Sequence, residues 1–210
     1  MAVACWSAKG GSGTTVIAVA LALLRARSSP EGAVLVDLGG DAPHALGLPP
    51  PTGPGVRDWL AAPGAGPEAL DRLLLDVGGG LRVLPVGNGS GSSDRLVAAL
   101  LARDDVVVDC GPAASGLGMA VAAAMPVSLL VVRPCYLGLR RALDSLVRPT
   151  GVVVVDERGH AMRSHDVAAA VSAPVVARVP VDPQVARAVD GGTLSARVPR
   201  SLARSLRGLL

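Results

Sequence analysis

The sequence predicts a doubly wound α/β fold, a mostly parallel sheet with helices on both faces, and residues 1–210 read as a single domain of this kind. Three observations predict it. Short β-rich runs alternate with helical stretches along the whole chain, the pattern of successive βαβ units. Most of those runs are continuously apolar, as parallel strands covered on both faces must be. Glycine-rich and acidic residues stand directly after several of them, where open α/β sheets gather their ligands.

In chain order, the strands are expected at 2–7, 33–37, 81–86, 105–109, 128–133, 151–155 and 174–179. Helices are expected at 14–27, 68–75, 94–102, 137–147 and 165–171. Two segments imitate membrane signals. Residues 14–24 resemble a signal-peptide core, but Arg25 and Arg27 follow where a small-residue cleavage site belongs. Residues 110–132 are uncharged over 23 positions, yet Gly111, Pro112, Gly116, Gly118 and Pro126 divide them into loop, Ala-rich helix, turn and buried strand.

Composition narrows the class further. Half of the residues are apolar, but there is no Phe, one Tyr (Tyr136) and two Trp (Trp6, Trp59), so the core must be built from Ala, Val and Leu. Cys5, Cys110 and Cys135 are odd in number and widely spaced, which reads as reduced, partly buried thiols in a cytosolic protein. They form no ligand set with His44, His160 and His165, and no structural metal is expected. The net charge of +3 is uneven: residues 177–210 hold six Arg against Asp182 and Asp190. This basic surplus reads first as a solvated face and second as a contact for nucleic-acid phosphates or anionic lipid.

The first strand runs into Lys9-Gly10-Gly11-Ser12-Gly13-Thr14-Thr15 and then a long apolar helix. Glycines let the backbone turn tightly and point successive N–H groups inward, and the helix N-terminus adds partial positive charge, so the stretch can cradle phosphate oxygens. Thr15, opening the helix, is placed to offer its hydroxyl to Mg²⁺. Asp37 ends the second strand, and Asp109 ends the run Val106-Val107-Val108, where a carboxylate facing the phosphate loop can hold Mg²⁺ through water.

The loop resembles the deviant Walker A loop of the ParA/MinD family of P-loop ATPases, K-G-G-x-G-K-[ST]. Lys9 matches that family's signature lysine, which the resemblance implies reaches across a dimer to the partner's nucleotide. It is the only lysine in the chain, against 19 Arg, and Arg cannot replace a compact ammonium packed on phosphates. Thr14 stands where the family has its second loop lysine. Asp37 matches the first acid of the family's D-x-D, which the resemblance implies lies near the Mg²⁺ water shell, and Gly39 replaces the second, which lies near the attacking water. Asp41 is a substitute for that acid only if the loop rearranges, and an Asx-turn role is preferred for it. Val106–Pro112 resembles the Walker B segment, and residues 111–118 then correspond to the nucleotide-sensing switch. The ending Val179-Pro180-Val181-Asp182-Pro183 through Leu194 follows the family pattern and implies a base pocket at Asp156, Pro180 and Asp182. Asp156 stands where Asn is common, and a carboxylate suits adenine's amino group or guanine's N1–H equally. Residues 54–60 and 81–85 loosely resemble the CpaE/TadZ pilus-positioning and septum-site branch.

The resemblance implies ATP and Mg²⁺ as ligands, a nucleotide-dependent homodimer, and an unidentified protein partner or cargo, in the cytoplasm or peripheral to membrane or nucleoid. The loss of Lys at 14 and Asp at 39 predicts binding with weak or absent hydrolysis. The alternative is an active partitioning ATPase with nonspecific DNA binding. An electron-transfer relative with a bridging iron–sulfur cluster lacks suitably spaced cysteines. In the tail, Leu202, Leu206 and Leu209 share one helical face while Arg200, Arg204 and Arg207 take the other. Such a helix suits either an anionic membrane surface or packing on the sheet. Packing is favoured, and binding to anionic vesicles is then expected to be negligible with or without ATP.

Overall fold

The computed structural model describes residues 1–112, 116–157, 159 and 162–210. One sheet holds eight strands: β1 (Val3–Ser7), β2 (Ala33–Asp37), β3 (Leu75–Gly78), β4 (Leu81–Leu84), β5 (Val106–Pro112), β6 (Val127–Val132), β7 (Gly151–Asp156) and β8 (Val175–Pro180). Around it lie α1 (Thr14–Ser28), α2 (Ala42–Ala45), α3 (Val56–Leu60), α4 (Ser93–Leu101) and α5 (Gly116–Ala124). They are followed by α6 (Tyr136–Leu143), α7 (Ser164–Val171), α8 (Pro183–Asp190) and α9 (Arg200–Leu206). The strand order is β3-β4-β2-β5-β1-β6-β7-β8, and every pair is parallel except β3 with β4.

This order puts β1 inside the sheet, between β5 and β6. The chain leaves β1 for β2 on one side and later builds β6, β7 and β8 on the other. The C-terminal end of β1 is therefore the topological switch point, where such sheets bind ligands. Alternation along β1 feeds two cores. Val3 and Cys5 pack with α1, α2 and the Leu202 and Leu206 side chains of α9. Ala2, Ala4 and Trp6 pack with residues of α3, α4, α5, α6 and α7. Both cores are made of Ala, Val and Leu with few larger side chains, as the composition requires. The buried Trp6 indole donates to Ser128 Oγ at 3.0 Å, so its one polar atom is satisfied.

Helix α1 starts at Gly13, whose left-handed φ of 90° is open to glycine without strain. It is buried nearly all round, which explains its uniform apolarity, and Arg25 and Arg27 in its last turn complement the helix dipole.

Two helical expectations are corrected. Residues 68–75 form no α-helix: a 3₁₀ segment spans Pro67–Leu73, and Leu75 begins β3. Gly78, Gly79 and Gly80 all take positive φ and turn the chain into an antiparallel pair with β4, so pairing at the sheet edge overrides local helix preference. The helix expected to reach residue 147 ends at Leu143. Beyond it, Ser145 Oγ accepts from Val147 N at 3.1 Å and the Ser145 carbonyl accepts from Arg148 at 2.7 Å, local bonds that compete with another helical turn. The strand expected over 81–86 stops at Leu84, because Pro85 has no N–H for the ladder.

The tail packs. Leu202 and Leu206 are fully buried, Leu209 is half-buried, and Arg200, Arg204 and Arg207 face solvent. Among the described residues, no helix is long and apolar enough to cross a membrane.

Candidate functional site

At the switch point β1 leads into the Lys9–Thr15 loop. Gly11 and Gly13 hold φ of 77° and 90°, left-handed values that a side chain would strain. Ser12 closes the loop on itself, donating from Oγ to the Lys9 carbonyl at 2.8 Å. Lys9 is half-buried, and Gly10 and Gly11 are exposed. A Cβ on Gly13 would come within 3.9 Å of Val155 Cγ2, so the end of β7 lies beside the loop. Thr14 is buried and its Oγ1 has no hydrogen-bond partner. A buried hydroxyl left unpaired costs on the order of 1–3 kcal/mol.

Asp37 and Asp109 are register partners at the ends of the parallel strands β2 and β5. Asp37 organises its own turn: Oδ1 accepts from Gly40 N at 2.7 Å and Oδ2 from Ala42 N at 3.2 Å. Burial raises its pKa, and those N–H donors pull it back. Asp109 is completely buried. Its Oδ1 accepts from Gly111 N at 3.0 Å, while Oδ2 has no partner. Burial pushes its pKa up to about 6, against the lowering effect of the Thr15 hydroxyl and the Gly111 N–H, and the charges of Asp37 and Asp41 push it further up.

Gly39 faces this carboxylate. A Cβ there would sit 3.4 Å from Asp109 Oδ2 and 3.5 Å from Gly111 Cα. The Asx-turn role expected of Asp41 is corrected: its side chain makes no capping bond at the start of α2, and Asp37 performs that task from the preceding strand end. Asp41 is exposed and near enough to raise the pKa of both neighbouring carboxyls.

The residues expected around a base lie together at the β7–β8 edge, where Asp156 and Pro180 are register partners. Asp156 Oδ2 accepts from Arg178 at 2.9 Å. Asp182 is the N-cap of α8, accepting from Gln184 N at 2.8 Å, and its other oxygen accepts from Ser201 Oγ at 2.5 Å. Asp182-Pro183 is an N-cap followed by proline at the first helical position, a signal the sequence reading passed over. A cavity of about 1090 Å³ opens along this edge, lined by Asp156, His165, Arg178 and Ser205 among others, and it does not reach the Lys9–Thr15 loop.

Residues 113–115 of the expected switch, and His160, lie outside the described residues. Cys5 and Cys110 are buried, Cys135 is half-buried, and burial pushes the Cys5 and Cys110 thiols far up, so both are inert small packing groups. No cluster of His, Cys, Asp and Glu able to hold a metal by itself occurs among the described residues.

The site tests well for a cation and a phosphate chain. An unpartnered, buried carboxylate oxygen and an unpartnered, buried hydroxyl flank a glycine-rich loop at a helix N-terminus, each lacking what a cation or a phosphate oxygen supplies.

No protein-family model matches the chain, and no curated protein matches it in sequence. Solved structures do match in fold. A ParA family ATPase from Chlorobium tepidum TLS superposes with a TM-score of 0.78 at 19% identity, over 99% of this chain and 98% of that one. The septum site-determining protein MinD from Pyrococcus horikoshii OT3, complexed with Mg-ADP, gives 0.76 at 17% identity, over 99% and 93%. MinD in the MinC:MinD cell division complex of Aquifex aeolicus gives 0.74 at 17% identity, over 99% and 95%. The eight-stranded sheet with its flanking helices is thus the P-loop α/β fold that ParA- and MinD-type ATPases share.

Proposed function

We propose that residues 1–210 form one nucleotide-binding domain that takes ATP with Mg²⁺ at the Lys9–Thr15 loop and dimerises when loaded. In that state it positions a protein partner or cargo machinery of the cell envelope, with little or no hydrolysis. The observation that carries this reading is Asp109: a buried carboxylate with one oxygen unsatisfied, in register with Asp37 and next to Thr15. Thr15, Asp37 and Asp109 would hold the metal, directly or through water. Bound Mg²⁺ supplies positive charge against the phosphate oxygens. The loop N–H groups and the N-terminus of α1 bind the phosphates, Ser12 fixes the loop, and Lys9, without a carboxylate partner among the described residues, is available to a second nucleotide.

Two positions argue for slow turnover. Thr14 brings a neutral hydroxyl where phosphoryl transfer normally uses a positioned cation, and Gly39 brings no group at all beside Asp109. The solved structures of similar fold support the positioning role, being a ParA family ATPase, a septum site-determining protein and a MinC:MinD complex. The pilus-positioning and septum-site branch fits the altered loop best. The base edge at Asp156, Pro180 and Asp182 admits adenine, with Asp156 oriented by Arg178.

Isothermal titration with ATP and with GTP, each with and without Mg²⁺, tests the reading. ATP binding that requires Mg²⁺, weakened by Thr15→Ala and by Asp109→Ala, is expected. Phosphate release at 1 s⁻¹ or faster, on the order of ordinary enzymes, would overturn the slow-turnover part, and ATP binding that ignores both substitutions would overturn the site.

A further inference from the structure

The tail helix α9 has no apolar face left to offer, because Leu202 and Leu206 are buried against the sheet. A different helix has one. In α6 only Gly138 and Ala142 are fully turned inward, and Tyr136, Leu137 and Leu143 are 72%, 47% and 49% exposed. Leu146, three residues after Leu143, is 79% exposed. These are among the most exposed large apolar side chains of a chain that has one Tyr and no Phe.

Basic groups interleave with them. Tyr136, Arg140 and Leu143 follow one ridge at i, i+4 and i+7, and Leu137, Arg141 and Asp144 follow the next. Arg140 reaches the Tyr136 hydroxyl at 3.5 Å and Asp144 at 3.8 Å, and Arg133, just before the helix, lies 4.0 Å from Glu157. Arg141 and Arg148 are exposed and have no carboxylate partner among the described residues. The patch thus carries four guanidiniums against two carboxylates, and the carboxylates are engaged.

We infer that the α6 face, Tyr136 to Arg148, docks on an anionic lipid surface. Leu143 and Arg148 edge a small cavity of about 220 Å³ beside α7, while Tyr136, Leu137 and Leu146 stand outward between guanidiniums, which matches a boundary with phosphate on the outside and hydrocarbon beneath. Arginine stems lie along the apolar layer while their heads stay at phosphate depth, and tyrosine suits the same boundary. A nucleic acid would use the guanidiniums and leave four large apolar side chains in water.

The test is co-sedimentation of the full chain with phosphatidylcholine vesicles, with or without phosphatidylglycerol. Binding is expected to the mixed vesicles only. Arg140→Glu with Arg141→Glu, and separately Leu143→Ser with Leu146→Ser, should each lower the bound fraction about tenfold or more. All four positions are exposed, so an unchanged melting temperature serves as the folding control. In a Tyr136→Trp variant, emission should shift to the blue on mixed vesicles, above a constant background from the buried Trp6 and Trp59 that the parent protein measures. The proposal is overturned by no binding to mixed vesicles, by equal binding to neutral ones, or by binding that the leucine pair leaves untouched. Duplex DNA or an acidic protein that is bound through the arginines while vesicles are not would also overturn it.

Discussion

Asp37 and Asp109 end neighbouring strands in register, yet their oxygens are treated differently. Both oxygens of Asp37 accept backbone N–H groups of the turn that follows, while Asp109 leaves Oδ2 unpaired in the interior. One carboxylate builds the loop. The other keeps one oxygen unsatisfied, as the proposed metal site requires.

That asymmetry has a pH signature. The Asp109 pKa is raised from the ordinary carboxylate value of 3.8 to about 6. A raised folded-state pKa means that the native state binds the proton more tightly than the unfolded chain does. The associated stability is present below the unfolded value and is lost as pH rises through about 6. Free of nucleotide and metal, the protein should be more stable near pH 5 than near pH 8, by on the order of 1–1.5 kcal/mol from this group, because the unfolded chain is already largely ionised at pH 5. Asp109→Asn should flatten that part of the profile in thermal melts. Mg²⁺-nucleotide affinity should run the opposite way, falling as pH drops below about 6, since the ligand needs the ionised form.

The Thr14 hydroxyl gives a second, independent handle on the same loop. Thr14→Val keeps the shape and removes an unpaired buried polar atom. The free protein should gain up to about 1 kcal/mol by chemical denaturation, while ATP affinity falls because a phosphate contact is gone. Thr14→Lys should do the reverse, raising affinity by roughly 1.5–3 kcal/mol with little gain in rate. A Thr14→Val protein that binds ATP as before would remove this residue from the phosphate contacts.

How much of this was legible in the sequence depends on how local each signal was. The loop and the strand-end acids were legible because backbone turns, helix start and strand end are fixed by adjacent residues: Gly13, Thr14 and the Val106–Val108 run need no partner to declare themselves. The antiparallel β3 was not, since four residues with an exposed, glycine-ended pattern acquire strand form only by pairing with β4. Asp41 reads as a turn residue from its neighbours alone, but the carboxylate that holds this turn is Asp37, and the Ser201 hydroxyl that bonds Asp182 reaches it only after folding.

Gly39 can be tested by restoring what it lacks. Gly39→Asp should be tolerated by the backbone, since this glycine is not in the left-handed region, but it sets a third carboxylate against Asp109 Oδ2. The metal-free protein should melt lower than its parent at pH 8 and recover with Mg²⁺. Phosphate release should stay low in Gly39→Asp and in Thr14→Lys separately, and rise when both are combined. A rise in either single variant would mean that one position alone limits turnover.

Lys9 separates a dimer contact from a local one. It is half-buried and forms no ion pair among the described residues, so Lys9→Ala should leave the melting temperature within a few degrees of the parent. ATP should increase the mass seen by light scattering for the parent and not for the variant. If ATP leaves the parent monomeric, Lys9 acts within its own chain only.

The tail supplies the last prediction. Leu202 and Leu206 are fully buried, and Ser201 ties α9 to the N-cap of α8 by donating to Asp182. Removing one buried leucine side chain costs about 2–5 kcal/mol, and for a chain of this size each kcal/mol shifts the melting temperature by roughly 2–4 °C. Leu206→Ala should therefore lower it by roughly 5–15 °C, and deleting residues 199–210 by more. Arg204→Ala and Arg207→Ala, both on the solvent side, should change it little. Because the stripe is consumed in the core, these arginine substitutions should also leave vesicle binding as it is, whereas changes on α6 should not. A tail deletion that keeps the parent melting temperature but loses vesicle binding would show that α9 leaves the sheet to reach the membrane, and would move the contact from α6 to the tail.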